Sequence, residues 1–150
     1  MVPILESERL VCKKLSTAEC TMRYVDWMND PLVYQFLESG GDYTLQKMND
    51  FLTNVESKQD MLFWAIYLKQ GEKHIGNIKI DPVNWRHGLG EYGILMGDRN
   101  EWGKGYAKEA SHLILEYCFQ QLKLRKITLG VVTDNESAVK LYNNLGFEVE

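Results

Sequence analysis

The chain has 150 residues, of which 45% are hydrophobic and 25% are charged, a balance typical of one globular domain that buries its own core. Its 17 basic and 21 acidic residues give a net charge of −4. This argues against a nucleic-acid backbone as the main partner, because nucleic-acid-binding proteins carry a basic excess. We therefore expect a single domain over residues 1–150 without a nucleic-acid partner.

Three cysteines lie in separate segments, at Cys12, Cys20 and Cys118, without a CxxC pair or an accompanying histidine cluster. They predict neither a metal site nor a disulfide framework, and are typical of the reducing cytoplasm. The longest apolar stretch, residues 61–68, is too short to span a bilayer. The first ten residues lack the basic start and long apolar core of a signal peptide. The sequence thus predicts a cytoplasmic protein without a membrane partner.

The first third of the chain predicts four segments in order: a strand, a helix, an irregular aromatic stretch and a second helix, at residues 8–15, 17–30, 33–43 and 45–55. The first helix shows apolar residues at helical spacing and ends or kinks at Pro31. Thr44 is the expected N-cap of the second helix, whose apolar residues form one buried stripe.

The rest of the chain predicts three consecutive strands, a long helix, a strand, a short helix and a last strand, at residues 61–68, 73–80, 89–96, 106–121, 125–132, 135–145 and 146–150. Asn135 or Asp134 caps the short helix, and Gly146 stands where a left-handed residue ends it. Consecutive strands predict an antiparallel meander, and the later strand–helix–strand units predict right-handed parallel crossovers. We therefore expect an α/β fold with a central mixed sheet and helices on both faces.

The segment GLGEYG at residues 88–93 matches the letters of the dinucleotide-binding fingerprint. That fingerprint requires a strand before the glycines and a helix after them. Here a polar turn precedes the glycines and an apolar strand follows, so the context is inverted. The sequence instead predicts that Gly88 serves the turn, whereas Gly90 and Gly93 lie within a strand.

A second glycine segment, GDRNEWGKGYAKEA at residues 97–110, joins an apolar strand to a helix. It does not match an ATP-binding loop, since the glycine spacing is wrong and Gly105 replaces the hydroxyl residue. The first amides of a helix are unpaired and lie at the positive end of its dipole. Gly103 and Gly105 would let an anion approach them, and Lys104 would add charge. A glycine-softened helix start without a ligand is the alternative.

Two segments together, WGKGYAKEA at residues 102–110 and TDNESAVKLYNNLGF at residues 133–147, resemble the GNAT superfamily of acetyl-CoA-dependent N-acetyltransferases. The first is similar to its Q/R-x-x-G-x-G/A loop, with Trp102, Gly105 and Ala107 at the defining positions. Trp102 departs from Gln or Arg, as in the RimJ/RimL-like branch. The segments ESERLVCKKL and WMNDPLVYQFLE also resemble that branch, so the resemblance covers essentially the whole chain.

This resemblance implies the GNAT acyl-CoA N-acyltransferase fold, with acetyl-CoA as co-substrate and no metal. The strands at 89–96 and 125–132 would splay apart around the pantetheine arm, and the glycine loop would take the pyrophosphate. The implied cofactor-binding residues are Ile94, Leu95, Met96, Trp102, Gly103, Lys104, Gly105, Tyr106, Ala107, Asn135 and Ala138. For Asn135, a plain N-cap is the alternative.

The resemblance also implies two catalytic residues. Glu91 would act as the base for the attacking amine, through a water, and Tyr142 would protonate the departing thiolate. An outward, solvated Glu91 and a Tyr142 that only packs are the alternatives. His87 is the next candidate base, whereas His74 and His112 are expected to be surface or packing residues.

Four aromatic residues are the expected lining of the acceptor pocket, although aromatics at this density are often core residues: Tyr34, Phe36, Tyr43 and Trp85. The expected acceptor is a primary amine of a peptide or small molecule, with a protein N-terminus first. A nucleotide-linked amino sugar or an aminoglycoside is the alternative among enzymes. A non-catalytic acyl-CoA-binding module is the alternative from another class.

Members of this family usually continue past the segment GFEVE through a turn and a last antiparallel strand, whereas this sequence ends at Glu150. We therefore expect a domain whose C-terminal strand is truncated. A bare sheet edge invites pairing, so the last strand of the sheet should be exposed or covered by a partner chain, for example in a homodimer.

Overall fold

The computed structural model describes residues 2–150. Six strands lie within this range: β1 (Leu5–Glu6), β2 (Leu10–Lys14), β3 (Leu62–Leu68), β4 (His74–Asn84), β5 (Leu89–Met96) and β6 (Lys126–Thr128). Five α-helices accompany them: α1 (Met22–Met28), α2 (Pro31–Tyr34), α3 (Leu45–Ser57), α4 (Tyr106–Glu116) and α5 (Glu136–Asn144). A π-helical turn, Tyr117–Gln121, extends α4. None of the helices in this range is long and apolar enough to cross a membrane.

The strands form one sheet whose spatial order, β1-β2-β3-β4-β5-β6, is the order of the chain. All neighbours pair antiparallel except β5 and β6, which are parallel and are joined by α4. The predicted meander and the first parallel crossover are therefore confirmed, and with them the mixed sheet.

Both faces of the sheet are covered, and β3 shows how the sequence achieves this. Side chains alternate between the two faces of a strand. Trp64 and Ile66 join the core beneath α4 and α5, whereas Ala65 and Tyr67 join the core beneath α1–α3. The helices thus form a layer on each side, as the sequence predicts.

The structure divides the predicted helix at 17–30. A short 3₁₀ turn, Thr17–Glu19, is closed by a capping box between Ser16 and Glu19, and Thr21 then caps α1. Two capping side chains five positions apart therefore start two separate turns. Pro31 does not simply follow a helix, because Asp30 caps α2 and Pro31 occupies its first turn.

The C-terminal end of the sheet also differs from the prediction. The β5–β6 ladder contains three residue pairs and ends at Glu91 and Thr128, so the strand predicted at 125–132 is short. The last strand, predicted at 146–150, does not form. A strand needs a neighbour with which to exchange hydrogen bonds, and Phe147 instead packs 5.8 Å from Tyr92, between ring centroids. In the described range β6 is thus the edge strand, as expected.

The end of β5 packs tightly against α1. Gly97 directly follows β5, and its backbone N–H donates to the carbonyl of Ile75 at 3.0 Å. A methyl group on Gly97 would overlap the ring of Trp27, which is itself buried. The close approach of α1 to the sheet therefore requires glycine at this position.

We expect Gly97→Ala to lower the free energy of unfolding by about 1–3 kcal/mol, because overpacking forces a large ring to move. Urea denaturation measures the change. Gly130→Ala is the matched control, since a methyl group there meets nothing within 4 Å and surface changes stay within about 0.5 kcal/mol. Equal losses in the two variants would contradict this account of Gly97.

Candidate active site

A gap opens beside β5 where its pairing with β6 ends. Residues 92–96 of β5 have β4 along one edge, but no strand of the described chain along the other. Ile94, Leu95 and Met96 are half-buried there. Backbone groups at such an edge need hydrogen-bond partners, so a ligand that carries amide groups could add to it like an extra strand.

Residues 102–107 form the loop that leads into α4, the entry loop. It lies next to this edge. Its backbone is left-handed at Gly103 (φ 77°) and Gly105 (φ 83°), a conformation that favours glycine. No protein acceptor within residues 2–150 takes the backbone N–H groups of 103–108. Six consecutive free donors at the positive end of a helix could hold a diphosphate.

Trp102 connects the entry loop to β5. Its indole Nε1 donates to the carbonyl oxygen of Met96 at 2.8 Å, while 44% of the residue remains exposed. The side chain therefore lies across the end of the open edge. Its position fixes where the loop begins relative to the strand.

Lys104 does not present a free charge. Its Nζ lies 2.7 Å from Glu101 Oε1, and Glu101 also binds Lys73 Nζ at 3.0 Å. Lys73 in turn lies 2.7 Å from Asp98. The hydrogen bond that Lys104 donates to Glu101 raises the pKa of the lysine, so it stays charged but is paired. The attraction for an anion therefore comes mainly from the backbone amides.

Tyr142 lies on the face of the sheet covered by α4 and α5. Its ring packs edge-to-face on Tyr92 at 5.7 Å and on Phe147 at 6.1 Å, between centroids. Burial raises the pKa of its phenol above the ordinary value. The hydroxyl has no protein partner among the described residues, so a protonated donor is available beside the gap.

Glu91 lies on the opposite face of β5, because side chains alternate along a strand and Tyr92 points into the core under α4. It belongs to the last residue pair of the β5–β6 ladder, opposite Thr128. The side chain is exposed, with no ion pair in the range that the structure covers. Glu91 therefore stands at the point where the two strands separate. His87 is exposed in the β4–β5 turn.

Asn135 is the N-cap of α5, as predicted. Its Oδ1 accepts the backbone N–H of Ala138 and the hydroxyl of Ser137, both at 3.3 Å. Both Asn135 and Ala138 are half-buried. The capping hydrogen bonds use the side-chain oxygen of Asn135, so its side-chain nitrogen could donate to a ligand.

Three of the four predicted aromatic residues lie in the loop region between α1 and α3, and the fourth, Trp85, lies apart from them. Tyr34 lies against Gly40 and Gly41, and Tyr43 hydrogen-bonds through its backbone to Asn29. Phe36 is exposed in the same loop. This loop lies near the Gly76–Met96 end of the β4–β5 ladder, since Arg99 pairs with Asp30 at 2.6 Å.

Trp85 lies in the turn at the other end of the same ladder, where it is 48% exposed. Seven residue steps of β5, or about 23 Å of strand, separate the two ends from Met96 to Leu89. A small acceptor at the gap could therefore meet residues from one group or the other, but not both at once.

A buried polar cluster lies beneath the end of β5. His74 Nε2 is 2.8 Å from Asn77 Oδ1, and the imidazole stacks on Tyr67 at 5.1 Å. Burial lowers the pKa of His74, so the ring is neutral near pH 7. His74 is thus a packing residue, as expected. His112 is exposed on α4, so it is a surface residue, as expected.

The family of the chain follows from comparison with known proteins. A family model described as the acetyltransferase (GNAT) domain matches residues 9–148. The chain therefore belongs to the GNAT acetyltransferase family, and it is an acetyl-CoA-dependent N-acetyltransferase.

Individual relatives agree with this assignment. An N-acetyltransferase of Bacillus licheniformis, the uncharacterised p20, is 28% identical over 97% of this chain and 83% of its own length. Spermidine N(1)-acetyltransferase of Escherichia coli K12 is 38% identical over 80 residues, 53% of this chain and 42% of that enzyme. The crystal structure of Vibrio cholerae spermidine N-acetyltransferase with CoA and spermine superposes with a TM-score of 0.85 at 22% identity, covering 96% of this chain and 83% of that one.

The residues around the gap fit acetyl-CoA. The free backbone N–H groups of residues 103–108 can donate to the oxygens of a diphosphate. The open edge of β5 can form hydrogen bonds with the amides of a pantetheine arm. A methyl group on Gly103 would meet nothing within 4 Å of protein, which leaves room for a ligand against the loop.

We expect Gly103→Ala to weaken coenzyme A binding about tenfold, or about 1.4 kcal/mol, because the methyl group would occupy the space of the diphosphate. Calorimetry measures the dissociation constant. Gly71→Ala is the matched control, since Gly71 has φ 82° and equally open surroundings. Both variants should lose similar stability from the left-handed backbone. Equal affinity for coenzyme A in the two variants would show that the loop does not hold the diphosphate.

Proposed function

We propose that this acetyltransferase acylates a primary amine, with the α-amino group of a protein N-terminus as the leading acceptor, in the manner of the RimJ/RimL-like branch. The observation that carries the proposal is the placement of Glu91 and Tyr142 on opposite faces of β5, next to the same gap. An amine could approach from the side of Glu91 while the cofactor lies on the side of α4. Trp102 and the opening segment ESERLVCKKL support the branch.

Acetyl-CoA supplies the acetyl thioester, and attack by the neutral amine forms the N–C bond as the C–S bond breaks. Glu91 receives the proton of the amine, through a water, at its exposed carboxylate. An α-amino group has a pKa of about 8 and needs little assistance, whereas a lysine amine near 10.4 needs more. Tyr142 gives its phenolic proton to the departing thiolate, and its raised pKa keeps that proton in place until then.

Two charged side chains on the acceptor face, Glu91 and Lys79, support an acceptor that carries a single amine. Glu91 has no ion-pair partner in the described chain, which favours a positively charged amine. Lys79 lies on the same face, since it pairs with Gly93 in the β4–β5 ladder and its side chain passes over that glycine. A carboxylate next to a lysine attracts a polycation less strongly than an acidic groove does.

A polyamine is the second candidate acceptor. It is supported by the 80 residues that are 38% identical to spermidine N(1)-acetyltransferase. For this candidate, Glu91 would hold one of the several ammonium groups. The two acceptors differ in their charge, so one assay separates them.

The experiment is a thiol-release assay with acetyl-CoA and a panel of amines: short peptides with free N-termini, spermidine, an aminoglycoside and a nucleotide-linked amino sugar. We expect the highest kcat/KM for a peptide, and its loss when that peptide is N-terminally blocked. Preference for spermidine would replace the leading acceptor by the second. Coenzyme A binding without turnover of any amine would favour a non-catalytic module.

The same assay tests Glu91. We expect Glu91→Gln to lower kcat about 10²-fold, the lower range for general base catalysis, because the amide cannot accept the proton. Glu116→Gln is the control, as Glu116 is likewise exposed but lies at the end of α4. Equal activity of the two variants would remove Glu91 from the proposal.

The pH dependence of kcat tests Tyr142. Burial raises the pKa of its phenol above the ordinary value, so the acid remains protonated through neutral and mildly alkaline pH. We expect Tyr142→Phe to lower kcat about tenfold, which is less than the roughly 10²–10⁴-fold typical of general acid catalysis, because a thiol of pKa about 8.5 already departs readily. The shape of the pH profile below about pH 9 should not change. If the kcat of the wild-type protein fell with rising pH below about pH 9, and this fall were absent in Tyr142→Phe, the result would contradict this role.

A further inference from the structure

An ion pair joins the N-terminal strands to the first turn of α4. Arg9 precedes β2, and its Nε lies 2.6 Å from Glu109 Oε1. The backbone N–H of Arg9 and the hydroxyl of Ser7 donate to Glu109 Oε2, at 2.9 Å and 2.6 Å. Burial alone would raise the pKa of Glu109, but these three donors outweigh it and the pKa is lowered. The carboxylate is therefore fixed as an anion within α4.

The same guanidinium also reaches the entry loop. Arg9 Nη1 donates to the backbone carbonyl of Lys104 at 3.0 Å. The guanidinium carbon lies 4.4 Å from the centre of the Tyr106 ring, a distance typical of a cation–π contact. Arg9 Nη2 would be 3.5 Å from a Cβ on Gly105. One side chain thus contacts the residues on both sides of Gly105 and lies beside Gly105 itself.

The contact with Lys104 determines where the next amide points. In a trans peptide the carbonyl and the following N–H point in opposite directions within one plane. When Arg9 holds the Lys104 carbonyl, the N–H of Gly105 must therefore point away from Arg9. Gly105 has no side chain to restrict its backbone, so the loop does not fix this orientation without help.

We propose that Arg9 is a positioning residue for acetyl-CoA binding: it holds the Lys104–Gly105 peptide so that the loop amides face the diphosphate. The proposal rests on the assignment of the entry loop as the diphosphate site. In this account Arg9 acts through the backbone of the entry loop, while its charge is paired with Glu109. A purely structural staple between β2 and α4 is the competing account.

Arg9→Lys is the informative variant. Lysine keeps a positive charge near Glu109. It lacks the planar guanidinium, whose separate N–H groups donate to Glu109 and to the Lys104 carbonyl at the same time. Ser7→Ala is the matched control, because it removes one hydrogen bond to Glu109 without altering the contact with Lys104. Circular dichroism and thermal unfolding establish that both variants are folded.

The experiment compares coenzyme A with pantetheine, which lacks the diphosphate, as calorimetric ligands. We expect Arg9→Lys to raise the dissociation constant of coenzyme A about tenfold, with that of pantetheine unchanged within about twofold. In the thiol-release assay, the KM for acetyl-CoA should rise similarly, whereas kcat and the KM for S-acetylpantetheine should not. Ser7→Ala should change none of these values by more than about twofold.

Equal weakening of both ligands by Arg9→Lys would overturn the proposal in favour of a structural staple, as would unchanged binding of both. An effect of Ser7→Ala as large as that of Arg9→Lys would also overturn it, because the contacts to Glu109, and not the contact with Lys104, would then be responsible. Failure of the proposed acceptor leaves this test intact, since the calorimetric comparison requires no turnover. Failure of the wild-type protein to bind coenzyme A more tightly than pantetheine would overturn the diphosphate site itself.

Discussion

The pairing of β5 with β6 ends after three residues, and the rest of the site depends on this early separation. From β1 to β5 the sheet is continuous, so each strand satisfies the backbone groups of the next. Beyond Glu91 and Thr128 that exchange stops, although β5 continues to Met96. An edge inside a domain needs partners, and a ligand with amide groups can provide them. The entry loop, Trp102 and α5 all lie around this one opening.

The opening also separates two chemical environments. On the side of α4 and α5, Tyr142 packs among aromatic rings and keeps its proton because it is half-buried. On the side of α1–α3, Glu91 is solvated at the branch point of the strands. A strand is one residue thick, so groups on its two faces can act on atoms held in the same gap. In the proposed roles of Tyr142 and Glu91, the fold would keep a proton donor and a proton acceptor on opposite faces of one strand, next to the same gap.

Local signals in the sequence predicted much of this arrangement. Thr44 and Asn135 cap their helices as expected. The entry loop could be predicted because glycines that permit φ above zero, followed by a helical pattern, are visible within a few residues. The end of β6, the absent strand at 146–150 and the position of Trp85 depend on strand register, which no short segment encodes. The contact between Arg9 and Glu109 joins residues one hundred positions apart, and no periodicity indicates it.

The pairing of Lys104 with Glu101 has a consequence for selectivity. A site that attracts anions through unpaired lysines responds to total charge, and would also collect inorganic phosphate, nucleotides and RNA from the surrounding solution. Oriented peptide dipoles carry no net charge and act over a few ångströms. They therefore bind an anion well only when its oxygens lie where the N–H groups point. An acidic chain whose loop amides bind the diphosphate as proposed would remain selective among the many phosphorylated compounds of a cell.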